Sequence, residues 1–225
     1  MNVAGPTQVF LDVVSRRRSM RDFKSDPVPR ELIESVFGTA QRAPSNCNTQ
    51  PWFVHVVTGE TLEQLRQELP AKFAAGEIAL DFPYDGQYEG VYKERQYASA
   101  AALYDSLGIS RDQKAERNAW FMRNFSFFGA PAVAFFTLPT GFGLREACDL
   151  GMFAQTVMLG LTAHGLGSCP QTALAFLANV IRPALNLGDH EQLMFGMSFG
   201  YPNDTAINEV ATERASLADV VTYHC

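Results

Sequence analysis

Apolar residues recur along this chain in two rhythms, one helical and one extended, and the changes between them mark out the elements. Val9, Phe10, Val13 and Val14 share a helical face that Thr7 can cap, which predicts a helix from Thr7 to Arg17. Leu32, Ile33, Val36 and Phe37 form a second stripe from Pro29 to Arg42, with Pro29 suited to the first turn and Glu31 to the N-terminal dipole. Trp52-Phe53-Val54-His55-Val56-Val57 is rich in strand formers and predicts a strand from Pro51 to Thr58, ended by Gly59. Thr61 to Ala75 returns to helix, and Asp81 to Gly90, with Pro83, Gly86 and the rings of Phe82, Tyr84 and Tyr88, reads as a loop.

Two helices are predicted next, over Glu89 to Leu107 and Arg111 to Phe128, followed by a strand from Pro131 to Leu138. The longest helical pattern, Leu144 to His164, carries Gly151, Met152, Ala154, Met158, Gly160 and Ala163, small or flexible residues that would let another helix approach closely. Gly165-Leu166-Gly167 stops it. A short strand over Leu166 to Cys169, a helix over Ala173 to Leu185 with Pro183 near its end, and a strand over Gln192 to Gly200 complete the pattern. Long helices with a few separated strands define an α+β chain whose sheet order the pattern leaves open. No repeat, low-complexity tract or linker divides it, so residues 1–225 are expected to form one domain.

Composition narrows the function. The 225 residues are 47% apolar, enough for a packed core, and the net charge of −6 argues against a general nucleic-acid binder. Cys47, Cys148, Cys169 and Cys225 form no Cys-x-x-Cys pair, so neither a zinc site nor thioredoxin-like chemistry is expected. No apolar run reaches the roughly 18 to 20 residues a membrane span needs, and Met1 to Pro6 does not resemble a signal peptide. A cytoplasmic, reducing setting is therefore expected.

Against that acidic background, Arg16, Arg17, Arg18 and Arg21 cluster with Ser19 ahead of Phe23. The cluster fits two roles: cations at a helix C-terminus, favourable without any ligand, or charge-assisted donors for a phosphate. Phe23 is expected to anchor the segment to the core, which favours a site. Ala43 to Trp52 concentrates Ser45, Asn46, Asn48, Thr49 and Gln50 in one connection, as either a plain helix-to-strand loop or a binding loop for a polar, uncharged ligand edge. Gly165 to Thr172 is either a helix stop or a backbone donor set beside a ligand. Arg214 is a second phosphate candidate or a surface arginine, and Cys169 reads as packing rather than nucleophile. His55, His164, His190 and His224 are scattered, with no Ser-His-Asp order and no His-Glu-x-x-His. Gly141-Phe142-Gly143 lacks the third glycine of a dinucleotide fingerprint.

Four segments in this order resemble the FMN-dependent nitroreductase family: Arg17-Arg18-Ser19-x-Arg21-x-Phe23, Ala43-Pro44-Ser45 through Asn48-x-Gln50-Pro51-Trp52, Gly165-Leu166-Gly167 through Pro170, and Gly200-Tyr201-Pro202 followed by Arg214. Asn124 to Pro131 is similar to the branch of nitrobenzoate reductases and mycobacterial drug-inactivating nitroreductases. The resemblance implies a central, mainly antiparallel sheet surrounded by helices, in an intertwined homodimer with FMN at the interface. It assigns Arg17, Arg18, Ser19 and Arg214 to the phosphate and ribityl region, and Arg21 to the flavin N1 and C2 carbonyl. Pro44, Ser45, Asn48 and Gln50 join the cofactor set, with Pro44, Ser45 and Asn48 given by the partner subunit, and the backbone of Pro170, Gln171 and Thr172 meets the flavin near N5.

The chemistry implied is ping-pong hydride transfer from NADPH or NADH through the flavin to a nitroaromatic, quinone or similar small electron-poor acceptor, with no protein nucleophile. A substrate-cover insertion is expected around 76–128, with Tyr84, Tyr88 and Phe128 as pocket residues, and Tyr92, Tyr97, Tyr104, Trp120 and Phe121 in the same aromatic stretch. One departure stands out: many relatives carry a lysine where this chain has Thr212, so a phosphate partner is missing or replaced by Arg16. Other chemistry on the same fold (reductive dehalogenation or flavin fragmentation) and a flavin carrier or sensor without reductase activity are the alternatives. The Glu-Tyr-Lys clamp expected of the deiodinase branch is not found.

Overall fold

The computed structural model describes Gly5 to His224. Its centre is an antiparallel sheet built from β1 (Phe53–Thr58), β2 (Ala132–Pro139), β3 (Gly167–Gln171) and β4 (Glu191–Gly200), in the order β1-β2-β4-β3. The register of β1 on β2 sets Phe53 opposite Thr137 and Thr58 opposite Ala132, and a bulge at Phe136/Thr137 interrupts β2 on β4. β2 is buried on both faces, and its alternation splits the core in two. Val133 and Phe135 join Leu62, Leu65, Phe125 and Ile181 on one side, while Ala134, Phe136 and Leu138 join Val36, Phe153, Val157 and Phe199 on the other.

Helices cover both faces. α1 (Pro6–Arg16) leads into the chain, and α2 (Arg30–Ala40) packs on α6 (Leu144–Ala163). That approach is close enough that a Cβ at Gly160 would lie 3.1 Å from Val36 Cγ1. The small residues of α6 therefore serve in part a contact inside the chain, whereas Gly151 faces open space. The opposite side of the sheet carries α3 (Gly59–Ala74) and α7 (Ala178–Ala184). Between β1 and β2 lie α4 (Gly90–Ser106) and α5 (Lys114–Met122), and α8 (Leu217–Val220) is near the end of the chain.

Two predicted helices are shorter than their apolar pattern implies. The pattern through Phe128 continues the helical spacing, yet α5 ends at Met122 and Phe127, Phe128 and Gly129 adopt φ of +59°, +53° and +79°. Arg66 holds that turn, donating to Ser126 O at 2.6 Å and Ala130 O at 2.8 Å with its guanidinium 5.7 Å from the Phe127 ring centre. The helix expected over Ala173 to Leu185 is split into a 3₁₀ turn, Thr172–Phe176, and α7. There Ala79 N–H donates to Phe176 O and Ala178 N–H donates to Ala79 O, so a distant loop takes the backbone groups that a continuous helix would use. β3 runs two residues further than the predicted Cys169, because Pro170 and Gln171 still pair with Met197 and Gly196.

Candidate functional site

The arginine segment is positioned by its backbone. After α1 the chain turns extended at Arg17 and runs along the outer edge of β3, where Ser19 bridges Ser168 in parallel and Met20 N–H donates to Ser168 O at 2.9 Å. A Cβ at Gly167 would sit 2.6 Å from Met20 Cγ, so only glycine lets the segment pass this close. Phe23 is buried and bridges Pro202, the expected anchor. Asn208, which sequence reasoning missed, locks the other side: its Oδ1 accepts from Arg21 N–H at 2.7 Å, and its Nδ2 donates to Asp22 O and Asn203 O. Nothing in the turn around it distinguishes Asn208; its burial at 3% exposure reveals it.

The arginines so placed differ in their partners. Arg16 donates to Thr162 O at 3.2 Å, capping the end of α6, so it is occupied there and does not stand in for the lysine that Thr212 replaces. Arg18 pairs with Glu209 at 3.2 Å. Arg17 has no carboxylate partner among the described residues; burial, and then the nearby Arg214 charge, hold its pKa below the ordinary value. Among the described residues Arg214 bonds only to Thr212 Oγ1 at 2.7 Å and to the carbonyls of Thr212 and Glu213. Thr212 thus holds Arg214 in place of adding a charge. Arg21 donates to Ser19 O at 3.3 Å and lies near Cys169, whose thiol burial pushes up to about 11. That value and its 2% exposure agree with packing rather than nucleophilic chemistry. Ser168 Oγ is buried beside this segment without a hydrogen-bond partner among the described residues.

At the end of β3 the side chains alternate, with Pro170 and Thr172 exposed and Gln171 buried. The Gln171 amide faces the interior, while its backbone is paired with Gly196 of β4.

The Ala43 to Trp52 loop is elsewhere in the chain. Asn46 N–H donates to Asp149 Oδ2 at 3.1 Å near the start of α6, and Trp52 stacks on Phe153 with ring centres 4.7 Å apart. Cys47, Asn48 and Gln50 have φ of +50°, +55° and +48°, and the loop is closed by Gln50 N–H to Ser45 Oγ at 2.9 Å and Asn48 N–H to Ser45 O at 3.0 Å. Strain held by so many bonds in an exposed loop is typical of a ligand clamp. Pro44, Ser45, Asn48 and Gln50 are exposed or half-exposed there. Asp149 and Thr162, which mark this loop and the arginine segment, are about 20 Å apart along α6 at 1.5 Å per residue. No hydrogen bond or ion pair among the described residues joins the two groups, so one chain holds two half-sites.

The aromatic stretch lies largely in the open. Tyr84 and Tyr88 are exposed, with the Tyr84 ring 5.9 Å from that of Phe176, just beyond the end of β3. Burial and the adjacent Tyr88 raise the Tyr84 phenol pKa. Tyr92 and Tyr97 on α4 are also exposed, so they are not core. Phe128 corrects the sequence reading: only 1% exposed, it belongs to the cluster of Leu62, Leu65 and Phe135 and lines no opening of this chain. A cavity of about 820 Å³ lies between α2 and β1, and its lining includes neither the Arg16 to Arg21 segment nor these tyrosines.

This sheet, flanked by an arginine segment and a strained amide-rich loop, defines the chain's class. The chain belongs to the Nitroreductase family, which it matches over residues 14–201. It is 40% identical to nitroreductase NfnB of Mycolicibacterium smegmatis over 97% of this chain and 96% of that protein. It is 35% identical to 4-nitrobenzoate reductase of Pseudomonas putida, over 89% and 88%. The crystal structure of the FMN-dependent NfnB from Mycobacterium smegmatis in complex with NADPH superposes with a TM-score of 0.94 at 39% identity, covering 98% of this chain and all of that one.

Proposed function

We propose that this chain is an FMN-dependent oxidoreductase that takes hydride from NADPH and reduces nitroaromatic or similarly electron-poor acceptors. The observation that carries the reading is the pair Arg17 and Arg214, near enough for like-charge repulsion to add to burial in lowering the Arg17 pKa, with no carboxylate partner for either among the described residues. Such a pair is unfavourable alone and becomes favourable around a phosphate. Ser19, Arg18 and the unpartnered Ser168 Oγ add donors of the same kind. FMN, when bound, supplies hydride exchange between donor and acceptor.

The chain's own residues hold the cofactor and shape its surroundings. Arg17 and Arg214 neutralise the phosphate, Arg21 provides a cation on a backbone fixed by Asn208, and the backbone of Pro170 to Thr172, in which Pro170 has no N–H to donate, lies beside the flavin at the end of a rigid strand. Residues 76–128 act as the substrate cover, with Tyr84 and Tyr88 at its entrance. The NADPH complex of the similar NfnB favours NADPH as donor.

The second half-site comes from a second copy. Packing α6 antiparallel against its equivalent about a two-fold axis sets the Asp149 end of one helix beside the Thr162 end of the other. The Pro44 to Gln50 loop of one subunit then meets the arginines of its partner. Exposed apolar residues support this assembly: Phe10 on α1, Met152 on α6 and Val220 near the C-terminus. No helix among the described residues is long and apolar enough to cross a membrane.

An anaerobic visible spectrum tests the function. Protein reconstituted with FMN is expected to bleach on adding NADPH and to recover its colour on adding 4-nitrobenzoate. A flavin spectrum unchanged by either nicotinamide would overturn the reductase reading in favour of a carrier or sensor.

A further inference from the structure

Gln171 is a polar side chain turned into the fold at the point where β3 ends. It is 3% exposed, between the exposed Pro170 and Thr172. Its amide is used on both sides. Oε1 accepts from Ser198 Oγ, itself fully buried in β4, and Nε2 donates to Asn124 O at 3.0 Å and Asn124 Oδ1 at 3.2 Å. Asn124 in turn donates through Nδ2 to Phe121 O at 2.8 Å, in the last turn of α5. The same residue opens the turn that carries the positive φ angles of Phe127 and Phe128.

An apolar side chain would fill this volume without the cost of burying an amide, so the return on the amide is directional. It fixes the end of β3 to the sheet through Ser198 and fixes the return of α5 to the end of β3 through Asn124. Two elements from distant parts of the sequence thereby share one anchor: the backbone facing the cofactor, and the segment that closes the cover.

We propose that Gln171 is a positioning residue that couples the cover segment to the cofactor-facing backbone. The inference rests on the cofactor reading above. Its hydrogen-bond polarity makes it testable, because Asn124 is the acceptor and Gln171 the donor. Gln171→Glu keeps the bond from Ser198 but turns a carboxylate toward Asn124 O. Asn124→Ala keeps the backbone acceptor Asn124 O and removes only the side-chain bonds to Gln171 and Phe121.

The experiment compares hydrogen exchange at residues 121–129, FMN affinity by fluorescence, and turnover of 4-nitrobenzoate with NADPH. In Gln171→Glu, exchange at 121–129 is expected to rise and kcat to fall, each about tenfold, the effect of one charged or buried hydrogen bond. FMN affinity is expected to stay within about threefold, since the phosphate donors are untouched. Asn124→Ala, which keeps the backbone bond, and Ser198→Ala, which leaves both Asn124 bonds intact, are expected to lie between the parent and Gln171→Glu. If Gln171→Glu fails to fold, Ser198→Ala and Asn124→Leu carry the same comparison. The proposal is overturned if Gln171→Glu matches the parent in exchange and kcat, or if Ser198→Ala falls as far as Gln171→Glu. A parent protein that binds no FMN would remove the cofactor reading instead, while the exchange comparison would still decide the tie between β3 and α5.

Discussion

Charges at the β1 side of the sheet and charges beside β3 are treated in opposite ways. At the β1 side each buried charge is answered. Glu191 is 7% exposed, and its Oε2 accepts from Thr137 Oγ1 at 2.5 Å and from His55 Nε2 at 2.7 Å. Asp81 accepts from Leu193 N–H at 2.7 Å and from Arg182 at 3.0 Å, and Arg182 also reaches the Glu191 and Gly188 carbonyls. Beside β3, Arg17 and the nearby Arg214 have no carboxylate partner, and Ser168 Oγ has no hydrogen-bond partner, among the described residues. The first region is complete within the chain and contributes stability. The second has no such answer among the described residues, and on the cofactor reading proposed above its charges belong to binding.

Removing the Glu191 carboxylate breaks the comparison most sharply. Glu191→Ala leaves Thr137 and His55 without their acceptor, and a broken buried network of this kind costs about 3–5 kcal/mol. At roughly 2–4 °C per kcal/mol for a chain of this size, thermal unfolding should show a midpoint lower by about 6–20 °C. FMN affinity should not change.

Arg17→Ala should do the reverse. Losing a charged hydrogen bond to phosphate costs roughly 1.5–3 kcal/mol of binding, so FMN titration should show affinity weaker by about 10- to 150-fold. Without FMN the variant should be no less stable than the parent, because the repulsion from Arg214 is gone. A fall in stability of the FMN-free variant would mean that Arg17 is structural.

Acid should act on the first region before the second. Burial pushes the Glu191 carboxyl up, but hydrogen bonds from Thr137 and His55 and the nearby histidines outweigh it and hold the pKa below the ordinary value. A depressed carboxylate contributes stability that is present above its unfolded pKa, about 4.3, and is lost as pH falls through the folded value. Unfolding midpoints should therefore drop more steeply below about pH 4 in the parent than in Glu191→Gln. Parallel curves would show that Glu191 is not the group responsible.

The smallest effect concerns Thr212. Thr212→Lys adds an exposed cation beside Arg214, worth about 0.2–1 kcal/mol, but removes the Oγ1 that holds Arg214, so the gain in FMN affinity should stay below about fivefold. High salt should erase the gain.

The contrast between the two regions also explains what the sequence reveals. The arginines, the amide-rich loop and the Gly165 to Pro170 turn are local clusters, and periodicity places the helices and strands within a few residues. Partnership is not local. Glu191 meets His55 and Thr137, and Asn208 meets Arg21, only through the fold, so neither carried a sequence signal. The same limit misled the reading of Phe128. Its spacing fits a helix, but Arg66 clamps a turn there, and the ring goes into the core. Arg16 and Arg17 are adjacent and chemically identical, yet one caps α6 and the other faces Arg214.

The most direct test of the account separates FMN from its phosphate. Equilibrium titrations with FMN and with riboflavin should show the parent protein binding FMN at least about tenfold more tightly, with that margin collapsing in an Arg17→Ala/Arg214→Ala variant. Equal affinities for the two flavins in the parent, or a margin that survives the double substitution, would contradict the assignment of the unpaired arginines to the phosphate.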